Sequence, residues 1–68
     1  MKYAVVYEQA PRNWSAYVPD LPGCVATGRT RSQVQGRIRS AIALHLEAMA
    51  VKGETPPKTS AAVEVVEV

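Results

Sequence analysis

A chain of 68 residues holds one domain, residues 1–68, and a core of that size ordinarily needs a staple or a second subunit beside it. The single cysteine, Cys24, excludes a disulfide, and with the single histidine, His45, it falls short of the four ligands of a structural zinc site. A homo-oligomer, dimer or tetramer, is the expected source of extra stability, with no metal or other cofactor. No apolar run approaches the roughly 20 residues of a membrane span and no secretory signal opens the chain, so it is expected to be cytoplasmic. A net charge of +2 does not by itself call for nucleic acid, but Arg29, Arg31, Arg37 and Arg39 crowd one segment while Glu47, Glu54, Glu64 and Glu67 lie in the C-terminal part.

Lys2 to Glu8 alternates, with Tyr3, Val5 and Tyr7 on one side, and predicts a first strand. Ala10-Pro11-Arg12-Asn13 supplies turn chemistry. Trp14, Ala16 and Val18 then alternate with Ser15 and Tyr17 as the second strand of a hairpin. Pro19-Asp20-Leu21-Pro22-Gly23 cannot continue a central ladder, since each proline lacks a backbone donor and glycine favours a turn. Cys24 to Thr27 is a short third strand closed by Gly28.

Thr30 followed by Gln33 has the form of a capping box and opens a helix from Arg31 to about Val51. At 100° per residue, Val34, Ile38, Ala41, Ile42, His45, Leu46 and Met49 share one face, and Gln33, Gly36, Ser40, Ala43 and Glu47 the other. Lys52 suits the helix C-terminus, Gly53 a left-handed cap, and Pro56-Pro57 blocks extension. Ala61 to Val68 predicts a final strand, with Val63, Val65 and Glu67 on one side and Glu64, Val66 and Val68 on the other. The order β-β-β-α-β is an α+β fold: an antiparallel-type sheet with one helix packed on one face.

The run Trp14-Ser15-Ala16-Tyr17-Val18-Pro19-Asp20-Leu21-Pro22-Gly23-Cys24-Val25-Ala26-Thr27-Gly28, followed by Thr30, resembles the signature segment of the HicB antitoxin family. Ala41 to Met49 is similar to that family's helix end, and the Gly53 and proline linker follows as expected. The resemblance implies a partial, ribonuclease H-like domain without catalysis that binds and masks a small HicA-type mRNA-cleaving toxin. Family members usually add a C-terminal DNA-binding domain, and this chain stops at the fourth strand, so direct DNA binding is not expected of it. The family's first helical turn is commonly acidic, whereas here it reads Arg31-Ser32-Gln33-Val34-Gln35-Gly36-Arg37.

Two groups of residues are candidates for partner contact. In the first, Leu21 is held between two prolines and is expected to project beside Asp20, so that Tyr17, Asp20, Leu21, Pro22 and Gly23 form a rigid recognition loop that loses little entropy on binding. The structural alternative is a bend that Asp20 caps or braces. In the second, Arg29, Arg31, Arg37 and Arg39 are candidates for an acidic partner surface or for RNA, in an alternative function as an RNA-binding or RNA-sensing oligomer. No catalytic residue is expected: Asp20 is the only aspartate, whereas two-metal phosphodiester cleavage needs several converging carboxylates. His45 lies on the apolar helix face and Cys24 has no acid–base neighbour in sequence. Trp14 is expected to pack under the helix.

Overall fold

The alternating segments are short, and in the computed structural model, which describes residues 1–68, they form three four-residue strands: β1 (Val6–Gln9), β2 (Trp14–Tyr17) and β3 (Val25–Gly28). They pair antiparallel in the order β1-β2-β3 and are followed by α1 (Arg31–Val51), so the chain has the expected α+β class. β1 begins later than the alternation predicts. Past Tyr17, β2 offers no ladder: the Val18 N–H donates to Cys24 O at 3.1 Å and Pro19 has no N–H. Tyr3 and Val5 nevertheless pack against the core.

The register places Tyr7, Ala16 and Ala26 in one cross-strand row and Val6, Tyr17 and Val25 in the next. Successive side chains point to opposite sheet faces, so only the first of these rows lies under the helix. Ala16 is accordingly buried, while Tyr17 and Val25 are 40% and 62% exposed.

The helix starts as its sequence dictates. Thr30 Oγ1 accepts from the Gln33 N–H at 3.0 Å, and Gln33 Oε1 reaches back to accept from the Arg29 N–H at 2.8 Å. The close approach of β3 to this cap requires Gly28, where a Cβ would stand 2.8 Å from Gln33 Oε1 and 2.9 Å from Val34 Cγ2. Val34 and Ile38 are buried, and Ala41, Ile42, His45, Leu46 and Met49 are half-buried on the same face. Length explains the gradient. Twenty-one helical residues span about 32 Å, whereas a four-residue strand covers only about 13 Å, so the second half of α1 overhangs the sheet. The core is therefore confined to Ala16, Val18, Leu21, Cys24, Val34 and Ile38.

The fourth strand expected over Ala61–Val68 is not part of the sheet. A strand is held by ladder hydrogen bonds, and this segment has no partner strand, leaving Val63, Val65, Val66 and Val68 exposed. Its displacement shows in the dimensions. The accessible surface is 5433 Å², against about 4200 Å² for a compact monomer of this mass. The radius of gyration is 13.1 Å, against about 11 Å for a compact chain of this length.

Candidate interaction surface

The segment between β2 and β3 closes on itself. Besides the Val18–Cys24 bond, the Leu21 N–H donates to Val18 O at 3.1 Å and the Cys24 N–H to Leu21 O at 3.0 Å. The tight return needs Gly23, whose φ of +83° is a left-handed conformation that side-chain-bearing residues rarely adopt. Folding the loop this way turns Leu21 inward, to 1% exposure. Leu21 is thus a core residue and not the projecting contact expected from its place between two prolines. The bend is tight enough to carry an apolar side chain back under the sheet, where burial is favourable.

Asp20 is half-buried, and its carboxylate faces the segment that follows the helix. It accepts from Ser60 Oγ at 2.8 Å, the Ser60 N–H at 3.1 Å, the Ala61 N–H at 3.2 Å and Thr59 Oγ1 at 3.2 Å. The hydrogen bonds from Ser60, then Ala61 and Thr59, favour the ionised form and hold the carboxyl below the ordinary aspartate value of 3.8, outweighing a small opposing effect of burial. Tyr3 adds a second tie, its hydroxyl donating to Pro57 O at 2.7 Å. Asp20 is consequently a brace between two distant segments, with the charged oxygens occupied by Thr59, Ser60 and Ala61.

Tyr17, Pro22 and Gly23 remain on the surface. Tyr17 stands in the row Val6–Tyr17–Val25 on the sheet face that the helix leaves uncovered. The row beside it, Glu8–Ser15–Thr27, is polar. An apolar strip bordered by hydrogen-bonding side chains has the layout of a protein contact patch. Sequence reasoning found Tyr17 but missed Val6 and Val25. Their signal was the hairpin register, which alternation alone does not supply.

The arginines do not form one cluster. Arg37 Nη1 donates to Thr27 O at 2.8 Å, and Arg29 and Arg37 border a polar depression of about 240 Å³ with Asn13, on the β3 side of the helix. On the β1 side, the Arg31 guanidinium carbon lies 4.9 Å from the centre of the Tyr7 ring, and Arg39 borders a groove beside Val5 and Tyr7. The Tyr7 ring face attracts the guanidinium and offsets its poor position at the positive end of the helix dipole.

Of the remaining sequence candidates, Cys24 is buried, and burial pushes its thiol up, away from the reactive thiolate. His45 is half-buried among the helix-face residues, and Trp14 packs against the core. Leu44 and Val51 are exposed on the overhanging half of the helix. No three of the His, Cys, Asp and Glu side chains come together. No helix is long and apolar enough to cross a membrane.

The family model described as HicB-like antitoxin of bacterial toxin-antitoxin system matches residues 3–67. Among curated proteins, an uncharacterised 14.9 kDa protein in the rep-hol intergenic region of Haemophilus phage HP1 (strain HP1c1) is 33% identical over 60 residues. The alignment covers 88% of this chain and 45% of that relative, so the chain spans less than half the length of the phage protein. No solved structure matches.

Proposed function

Because the chain belongs to the HicB-like antitoxin family of bacterial toxin-antitoxin systems, we propose that it binds a small HicA-type mRNA-cleaving toxin and masks it without catalysing a reaction. The observation that carries the binding mode is the row Val6–Tyr17–Val25 on the sheet face away from the helix, in which Tyr17 and Val25 are exposed and Val6 is half-buried. In this reading Tyr17 is the central anchor, because an aromatic ring buries much area for little conformational entropy and its hydroxyl can still find a partner. Pro22 and Gly23 extend the patch along the loop. Leu21 and Asp20 contribute indirectly, the first by filling the core under the loop and the second by tying the loop to Ser60. The chain works as a homo-oligomer in the cytoplasm, in keeping with its large exposed area for its mass.

The separation of Arg29 and Arg37 from Arg31 and Arg39 favours this reading over RNA binding, which gains from cations aligned along one track. Co-expression with a HicA-type toxin tests it. Wild type is expected to restore growth, whereas Tyr17→Glu and Val25→Glu are expected to fail while remaining folded. Rescue unaffected by both substitutions would overturn the assigned surface. Capture of RNA alone, abolished by Arg29→Ala/Arg37→Ala and by salt, would replace the antitoxin reading with its rival.

A further inference from the structure

The β1 side of the molecule is unfinished in two respects. β1 pairs only with β2, so its outer edge carries free N–H and C=O groups, the part of a sheet that recruits another strand. The helix packs on β3 and β2, leaving a groove of about 430 Å³ between α1 and β1. Its apolar walls are Val5, Tyr7, Ile38 and Ile42, and Arg39 stands on its border.

The segment Ala62–Val68 has the complementary chemistry. It reads Ala-Val-Glu-Val-Val-Glu-Val, is rich in a β-branched residue, and lies exposed outside the sheet. In a strand, Val63, Val65 and Glu67 would share one side, two apolar groups followed by a negative charge. The groove offers an apolar wall and a positive charge. The bonds from Thr59, Ser60 and Ala61 to Asp20 fix where this segment leaves the body, and its valines stand clear of the chain's own groove.

We propose that residues 62–68 of one copy add as a strand to the free edge of β1 in a second copy, with Val63 and Val65 in the groove and Glu67 paired with Arg39. The exchange is reciprocal, so one two-fold axis satisfies both edges and both grooves. Main-chain ladder bonds supply attachment, and the Val and Glu positions set the register. The proposal rests on the homo-oligomer reading above and specifies how that oligomer forms.

Sedimentation equilibrium of the full chain separates the two ideas. Wild type is expected to be a dimer at micromolar concentration. Arg39→Glu and Glu67→Arg, both at exposed positions, are each expected to weaken it about tenfold or more through like-charge contacts repeated twice per dimer. An equimolar mixture of the two variants is expected to regain wild-type affinity, because the mixed dimer has one native pair and one reversed pair. Val65→Pro, which removes a ladder donor, is expected to weaken the dimer without lowering the melting temperature of the monomer. A mixture no tighter than either variant would overturn the exchange, as would single variants that dimerise like wild type. That last result would leave the oligomer standing but built elsewhere, whereas a monomeric wild type would remove both.

Discussion

Asp20 and Ser60, 40 residues apart in sequence, are joined twice, by the Ser60 hydroxyl at 2.8 Å and the Ser60 N–H at 3.1 Å. With Thr59 and Ala61 also bonded to Asp20, this one carboxylate fixes the start of the C-terminal segment. Its folded-state pKa is lowered, so the brace stabilises the fold in the ionised form. That contribution is present above the ordinary value of 3.8 and is lost as the pH falls through the lower folded value. Asp20→Asn is expected to reproduce the acid effect at neutral pH by speeding amide exchange at Ser60 and Ala61, with little change in β2. Unchanged exchange at both amides would show that the brace does not hold the segment.

Leu21 is predicted to act through stability. Leu21→Ala removes a side chain that is 1% exposed and should cost about 2–5 kcal/mol in a urea melt, as core truncations do. Val25→Ala, on the uncovered face, should cost much less. Equal losses from the two variants would make Val25 a core residue and contradict the register that leaves it exposed.

Gly28→Ala should destabilise by about 1–3 kcal/mol, because a methyl there meets Gln33 Oε1 and Val34 Cγ2 inside ordinary contact distance. Gln33 can give way only by releasing the Arg29 N–H, and Val34 is fully buried. Thermal unfolding of Gly28→Ala beside Gly36→Ala, where nothing lies near the added carbon, is the check. The Gly36 variant should be neutral or more stable, as alanine is in a helix interior.

Features governed by local rules could be read from the chain directly. The helix phase placed Val34 and Ile38 inside and Ala43 and Glu47 outside, and Thr30 with Gln33 marked the cap, because a helical face and a cap depend on residues three or four apart. Trp14 and Tyr17 fall on opposite strand faces by an equally local rule, the alternation of successive side chains. The direction of Leu21 was not legible, since a proline-flanked leucine projects or tucks in according to three hydrogen bonds around the loop. Neither was the partner of Asp20, which lies 40 residues away. The final segment has strand-forming residues, but pairing decides whether a strand forms, and pairing is a relation to another edge.

The most direct measurement is inhibition of a HicA-type toxin in an RNA-cleavage assay with increasing amounts of the chain. Cleavage should end near one equivalent of wild type. Tyr17→Glu should leave cleavage running at equal and at excess concentration, while Arg29→Ala/Arg37→Ala should inhibit nearly as well as wild type at moderate salt. Continued cleavage in the presence of excess folded wild-type chain would contradict the proposed masking of the toxin.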